Sequence, residues 1–105
     1  MPNDIPGCQI TVIKKMFFQE LVDVYHAEPE RLKICGVFTE GQTFLVDHPF
    51  TMPEEFCPWA WADIRQHITA VMAGANPQWI KQQGTAIAGC SDVFRPVIFK
   101  VERID

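Results

Sequence analysis

Four cysteines are the residues of this sequence whose side chains are best suited to chemistry. They stand at positions 8, 35, 57 and 90, so no two of them form the Cys-x-x-Cys pair that is typical of structural zinc sites and thioredoxin-like proteins. Thiols that are distant in sequence can still meet in a fold. Cys57 is predicted at a helix start, Cys90 at a strand end and Cys35 in a loop, and we expect these three to converge.

Two kinds of site suit three convergent thiols. One is a metal site, in which Cys35, Cys57 and Cys90 bind Zn²⁺ or another soft metal ion and His48 or His67 completes the ligand set. The other is a site for thiol redox chemistry. The alternative to both is inert burial, because free cysteine is among the most buried residue types. The sequence leaves these interpretations open.

Cys57 is the cysteine whose predicted position most favours reactivity. Apolar residues follow it at the spacing of an amphipathic helix, namely Trp61, Ile64, Ile68, Val71 and Met72. Pro58 suits the first helical position and Gly74 suits a C-terminal cap, so the helix should run from about residue 58 to about residue 73. Unpaired N–H groups and the positive end of the helix dipole would favour a thiolate at Cys57, which makes it the most nucleophilic thiol expected.

Two further pairs of residues could contribute polar chemistry. Asp63 and His67 are four residues apart on the predicted helix, where a carboxylate that orients an imidazole would form a general base. A solvated pair on the helix surface is the simpler interpretation. Asp92 and Arg95 are predicted to clamp a turn, and Arg95 could instead hold an anionic ligand through its planar guanidinium group.

Three tryptophans could line a pocket for a planar small-molecule ligand. Trp61 belongs to the apolar stripe of the helix and is predicted to lie in the core. Trp59 and Trp79 lie off clear apolar faces, so they would either cover a loop or form a contact surface. An exposed aromatic patch would favour self-association into a homo-oligomer.

The composition excludes several classes of partner. The chain has 105 residues, 48% of them hydrophobic, which predicts a single domain over residues 1–105. A net charge of −4 without a basic cluster excludes a nucleic-acid partner. No apolar run is long enough to span a bilayer, and the N-terminus lacks the features of a signal peptide. We therefore expect no membrane partner, a cytoplasmic protein and reduced cysteines.

The predicted elements form a small α+β domain after an irregular arm at residues 1–7. Alternating and β-branched residues predict strands at 8–15, 43–46, 85–90 and 96–104, and helical spacing predicts helices at 17–25 and 58–73. A partly buried loop over residues 26–40 would hold Cys35. The expected architecture is an antiparallel sheet of about four strands with two helices packed on one face.

Motifs along most of the chain resemble those of a family of small bacterial and archaeal proteins, some of which carry the unit twice. The matching runs are Phe-Cys-Pro-Trp-Ala-Trp-Ala-Asp at 56–63, Gly-Thr-Ala-Ile-Ala-Gly-Cys-Ser-Asp at 84–92 and Arg-Pro-Val-Ile-Phe-Lys-Val-Glu-Arg-Ile at 95–104, and the runs at 10–15 and 40–47 match as well. The resemblance implies cysteines at the positions of Cys35, Cys57 and Cys90. This chain departs from the family at Gly36, where a proline is usual, and at Gly89, where a second cysteine is common. The resemblance implies no activity.

The sequence therefore favours a thiol site at Cys35, Cys57 and Cys90 that binds a soft metal ion or does redox chemistry. A non-catalytic module that binds a ligand or assembles through Trp59, Trp79, Asp92 and Arg95 is the alternative. Whether the protein is an enzyme stays open at this point.

Overall fold

The structure, a computed structural model, describes residues 6–48 and 51–104. Along this part of the chain the elements are β1 (Gly7–Lys15), α1 (Gln19–Tyr25), β2 (Thr43–Val46), α2 (Pro58–Met72), β3 (Thr85–Gly89) and β4 (Val97–Ile104). The predicted α+β class, a four-stranded antiparallel sheet with two helices, is confirmed. Residues 1–5 of the expected arm lie outside the described residues, and Gly7 already belongs to β1.

The sheet has the strand order β2-β1-β4-β3, and all neighbouring strands are antiparallel. The two long strands β1 and β4 lie in the centre and the two short strands form the edges. Ile10 lies opposite Phe44 of β2 and Val101 of β4, which shows how β1 joins the two halves of the sheet. The pairing of β1 with β4 is interrupted between Val12 and Lys14, as a β-bulge requires.

One face of the sheet carries the core, and α2 covers it. Strand residues on this face alternate with wetter residues, so every second side chain is buried. The buried apolar strand residues are Cys8, Ile10, Val12, Val46, Ala86, Ala88, Val97, Phe99 and Val101. The buried residues of α2 are Ala60, Trp61, Ile64, Ile68, Val71 and Met72, which includes the whole predicted stripe. Phe99 has no exposed surface, and its ring centroid lies 5.2 Å from that of Phe38 and 5.6 Å from that of Phe56.

The opposite face of the sheet has no helix against it in the described part of the chain. Leu45 and Ile87 are 59% and 44% exposed there, and Lys100 forms an ion pair of 3.2 Å with Glu102. None of the helices in residues 6–48 and 51–104 has the length and apolar character needed to cross a membrane.

The first helix begins later than its apolar spacing predicts. β1 continues to pair with the segment before β4 after its regular end, because Met16 donates its N–H to the Pro96 carbonyl and Phe18 donates to the Phe94 carbonyl. These two hydrogen bonds hold Met16 and Phe18 against that segment, so α1 starts at Gln19 rather than at 17. Only one of the seven residues of α1 is buried.

The second helix has the bounds that its caps predict. Cys57 is the N-cap, Pro58 is the first helical residue and Gly74 adopts a φ of +108° just after the helix. Arg103 of β4 satisfies the other end, since its Nη1 donates to the carbonyls of Val71 and Ala75 at 2.7 and 3.3 Å. A cation that binds the last carbonyls of a helix also complements the helix dipole.

Replacing Arg103 with glutamine is expected to lower the free energy of unfolding by about 1 to 2 kcal/mol. The change removes charged hydrogen bonds from Nη1 to the Val71 carbonyl in the last turn of α2 and to the Ala75 carbonyl just beyond it. Urea unfolding measures the loss. The matched control is Arg65→Gln, because Arg65 is exposed on α2 and its side chain forms no hydrogen bond within the described residues. Equal effects of the two variants would contradict a capping role for Arg103.

Candidate functional site

A pocket of about 480 Å³ opens where the start of α2, the β3–β4 connection and the loop before β2 come together. Three of the four cysteines line it. Apolar side chains make most of the remaining wall. The lining residues are Cys35, Val37, Phe38, Cys57, Trp59, Ala60, Cys90, Ser91, Asp92, Val93, Phe94, Arg95 and Val97. The three cysteines that were expected to converge thus lie around one cavity, although they come from three separate segments of the chain.

Cys57 lies at the N-cap of α2 and is half-buried. Its carbonyl accepts the N–H of Trp61 at 2.9 Å, so its backbone begins the helix. Its thiol makes no capping hydrogen bond. The sulfur of Cys57 is therefore not committed to holding the helix and is available to the pocket.

Cys90 continues the antiparallel pairing just after β3. Its N–H donates to the Val97 carbonyl at 3.1 Å, and the N–H of Val97 donates to the Cys90 sulfur at 3.3 Å. This pair of contacts fixes the thiol at the pocket wall.

Cys35 belongs to the long loop between α1 and β2, which two side chains hold in place. Arg95 donates from Nη1 to the Lys33 carbonyl at 3.1 Å, and Lys15 donates from Nζ to the Phe38 carbonyl at 2.7 Å. The predicted loop over residues 26–40 is thus anchored on both sides of Cys35, which is half-buried.

Ser91 connects the segments that carry Cys57 and Cys90. The indole N–H of Trp59 donates to the Ser91 hydroxyl oxygen at 2.8 Å, and the N–H of Ser91 donates to Oδ2 of Asp63 at 2.7 Å. Two polar contacts therefore brace the start of α2 against the residue that follows Cys90. No pattern in the sequence indicates a role for Ser91, because its partners are 28 and 32 residues away.

The candidate general base has a different geometry from the one that its spacing suggests. Asp63 accepts from the backbone of Ser91, and no hydrogen bond joins it to His67 within the described residues. His67 and His48 are not among the residues that line the pocket. The structure thus places Asp63 as a brace of the pocket wall and leaves His67 away from it.

Asp92 and Arg95 form the turn that connects β3 to β4. Oδ1 of Asp92 accepts the backbone N–H groups of Phe94 and Arg95, and its Oδ2 accepts Nε–H of Arg95 at 3.0 Å. With Nη1 bound to the Lys33 carbonyl, Arg95 keeps one nitrogen, Nη2, that has no hydrogen-bond partner among the described residues. Arg95 therefore clamps the turn and still presents a free donor beside the pocket.

The three tryptophans occupy three different environments. Trp61 is buried in the core, as its place on the apolar stripe predicted. Trp59 is 67% exposed at the pocket, whereas Trp79 is 83% exposed in the connection between α2 and β3 and does not line the pocket. Of the two, only Trp59 can contact a ligand in this cavity.

The fourth cysteine lies apart from the pocket. Cys8 is completely buried on β1, opposite Val46 of β2 and Arg103 of β4. Burial raises the pKa of the Cys8 thiol from 9.0 to about 12, because the charged form would lose its hydration. Cys8 thus stays a neutral core residue at neutral pH.

The arrangement of the thiols is not that of a preformed metal centre. Within residues 6–48 and 51–104, no group of three His, Cys, Asp or Glu side chains is positioned to hold a metal ion. All four cysteines are free thiols rather than disulfides. Three free thiols around one cavity can react with a ligand that enters it.

Neither Gly36 nor Gly89, where the chain departs from the resembled family, lines the pocket, although Gly36 lies between the lining residues Cys35 and Val37. A Cβ added at Gly89 would stand 3.1 Å from Cδ1 of Ile98, whereas Cys90 pairs with Val97, whose side chain is buried in the core. A second cysteine at position 89 would consequently face the other side of the sheet. Gly36 has no atom within 4 Å of the place where its Cβ would stand.

Comparison of the chain with protein-family models, with curated proteins and with solved structures gives no match. The family resemblance therefore stays a prediction.

Proposed function

We propose that the pocket is a thiol site in which Cys57 is the reactive sulfur and Cys35 and Cys90 are its partners. The observation that carries the proposal is that three free thiols from separate segments line one cavity. Inert cysteines would be expected to resemble Cys8, which is sealed in the core and held neutral. The three pocket thiols are instead half-buried beside a space large enough for a small molecule.

Thiol redox chemistry is the form of this function that the geometry supports best. The Cys57 thiolate, after losing its proton to solvent, would attack one sulfur of a small disulfide and release the other sulfur as a thiolate. A second pocket thiol, Cys90 or Cys35, would then attack the Cys57 sulfur of the mixed disulfide and release the remaining half of the substrate. The protein would lose two electrons and the substrate disulfide would be reduced to two thiols.

Cys90 is the better placed of the two partners. The contacts of Ser91 with Trp59 and Asp63 join its segment directly to the first turns of α2, which begin at Cys57. Cys35 comes from a loop that contacts the turn between β3 and β4, through the hydrogen bond from Arg95 to the Lys33 carbonyl. Cys35 would therefore complete a three-sulfur site for a soft metal ion, the second form that the function could take.

Replacing Cys57 with serine is expected to slow the fastest alkylation of the native protein by iodoacetamide by about tenfold or more. The residual rate would come from Cys35 and Cys90. Mass spectrometry of the alkylated peptides identifies the modified cysteine, and native mass spectrometry of protein purified without oxygen or chelator reports any bound metal.

Cys90→Ser is the matched control, since it removes a pocket thiol and keeps the helix terminus at Cys57 unchanged. Under the proposal it leaves the fast reaction at Cys57 in place but prevents an intramolecular disulfide with Cys57. Equal alkylation rates in the wild type and in Cys57→Ser would overturn the proposal. A metal that is retained by both variants would overturn the metal form alone.

A non-catalytic binding module is a second candidate, favoured by the exposed apolar rim of the pocket. Trp59, Val93 and Val37 are 67%, 65% and 55% exposed around this one opening, and a grouped set of exposed apolar side chains is typical of a contact surface. This function predicts that the pocket thiols react slowly and that the fluorescence of Trp59 changes when a ligand or a partner is added.

A further inference from the structure

We infer that the pocket selects a small organic carboxylate with an apolar body, which pairs with Nη2 of Arg95 while its reactive group faces the thiols. That the bound group reacts with the thiols rests on the proposed thiol function. The binding of the anion rests on separate observations, namely which polar groups of the pocket already have hydrogen-bond partners, which donors remain and which side chains surround them.

The charged side chains of the pocket wall are Asp92 and Arg95, and their hydrogen-bonding capacities are used unequally. Asp92 has both oxygens occupied, Oδ1 by two backbone N–H groups and Oδ2 by Nε of Arg95. Arg95 has Nε and Nη1 occupied but Nη2 free among the described residues. Both oxygens of Asp92 thus already accept hydrogen bonds, whereas Nη2 of Arg95 still has N–H groups without an acceptor among the described residues.

The neighbouring hydroxyl has the same requirement. The Ser91 oxygen accepts from the indole of Trp59, and within the described residues its own hydrogen has no acceptor. The free polar side-chain groups at this wall, apart from the thiols, are thus two donors: Nη2 of Arg95 and the Ser91 hydroxyl. A ligand that brings acceptor oxygens, and best a negative charge, would satisfy them.

The number of cations indicates the kind of anion. Asp92 binds Nε–H of Arg95 and the Lys33 carbonyl binds one N–H of Nη1, so the N–H groups of Nη2 stay available for an oxyanion. Arg95 supplies one positive charge, and no lysine among the described residues lines the pocket. A single carboxylate fits this arrangement, whereas a phosphate group with two charges would lack the cations that it normally recruits.

The rest of the wall indicates an apolar body. Val37, Val93 and Phe94 lie beside the charged turn, and the exposed ring of Trp59 stands at the opening. A volume of about 480 Å³ suits a ligand with one or two rings or a short acyl chain. An aryl or branched carboxylate would bury its carbon skeleton here and keep its acid group at Arg95.

The test compares two small molecules of the same shape that differ in charge. 4-Nitrobenzoate is expected to slow the alkylation of Cys57 by the neutral reagent iodoacetamide by about threefold to fivefold at saturation, and neutral 4-nitrobenzamide is expected to have a much smaller effect. Both compounds quench indole fluorescence, so their binding beside Trp59 is also measured without any thiol reaction.

Variants of Arg95 then assign the effect. In Arg95→Gln the protection by 4-nitrobenzoate should fall to that of the amide, whereas Arg95→Lys should keep part of it because the charge remains. Arg31→Gln is the control for a change in net charge, since Arg31 is exposed and pairs only with Glu28 within the described residues. Circular dichroism shows whether the Arg95 variants keep the fold. If they do not, the comparison of the two ligands on the wild type still decides.

The outcomes separate the two proposals. Equal protection and equal quenching by the acid and the amide would overturn the anion site and leave the thiol function standing. Slow thiols together with charge-selective quenching that Arg95→Gln abolishes would overturn the thiol function and support a carboxylate-binding pocket. The absence of both effects would overturn both.

Discussion

Replacing Phe99 with alanine is expected to lower the free energy of unfolding by about 3 to 5 kcal/mol, close to the whole stability of many small domains. Phe99 is completely buried on the central strand β4, and its ring contacts those of Phe38 and Phe56. Truncation at the β-carbon removes this burial and leaves a cavity that the sheet behind it cannot fill by collapsing. Urea unfolding at neutral pH under reducing conditions measures the change.

The matched control is Leu45→Ala on the edge strand β2. Leu45 is 59% exposed on the open face of the sheet, so its truncation should change the stability by about 0.5 kcal/mol or less. A loss in Phe99→Ala that is no larger than that of the control would show that the aromatic cluster is not the centre of the core. An unfolded Phe99→Ala protein would agree with the prediction, and Phe99→Leu then gives a measurable, smaller loss.

The aromatic cluster also connects the core to the pocket. Phe38 lines the pocket on one side and contacts Phe99 and Phe56 on the other. Val97, which holds the Cys90 sulfur through its N–H, is buried on the same strand as Phe99. The part of the pocket wall formed by Phe38 and Val97 therefore belongs to the core. Because Val97 binds the Cys90 sulfur directly, the position of Cys90 is fixed more firmly than that of Cys35, which lies in a loop.

Much of the fold could be predicted because its signals are local. Pro58 and Gly74 mark the ends of α2 through properties of their own backbones, and the alternation of Val97, Phe99 and Val101 shows which side of β4 is buried. The predictions are wrong where a segment that is distant in sequence determines the local structure. The start of α1 is delayed because Phe18 binds the carbonyl of Phe94, far along the chain.

The pocket was predictable only in part, for the same reason. The types and positions of Cys35, Cys57 and Cys90 indicated that thiols matter at element ends, but their common cavity depends on how β3 pairs with β4 and on a contact between Arg95 and Lys33 across 62 residues. The contacts of Arg95 with Asp92 and with the Lys33 carbonyl also determine that Nη2 is the nitrogen left without a partner among the described residues. A spacing rule also suggested Asp63 and His67, yet tertiary structure gave Asp63 the partner Ser91 instead.

The stability of the protein is expected to fall at alkaline pH because of Cys8. The pKa of its thiol is raised from 9.0 to about 12 by burial, so between these values the unfolded chain releases a proton that the folded chain keeps. The folded state then binds more protons than the unfolded state, and the free energy of unfolding must decrease as pH rises. By about pH 11 the loss from this one group should reach about 2 to 3 kcal/mol, and below about pH 8 it should vanish.

Cys8→Ala separates this effect from the titration of other groups, which both proteins share. At neutral pH the variant should be less stable than the wild type by about 1 to 2 kcal/mol, because it leaves a small cavity beside Ile10 and Val46. The difference should shrink as pH rises and disappear or reverse near about pH 11, since alanine has no proton to lose. Urea unfolding in reducing buffer across this range gives both curves. Parallel curves would mean that the Cys8 thiolate is solvated in the folded protein, and Cys8 would then have to be counted among the reactive thiols.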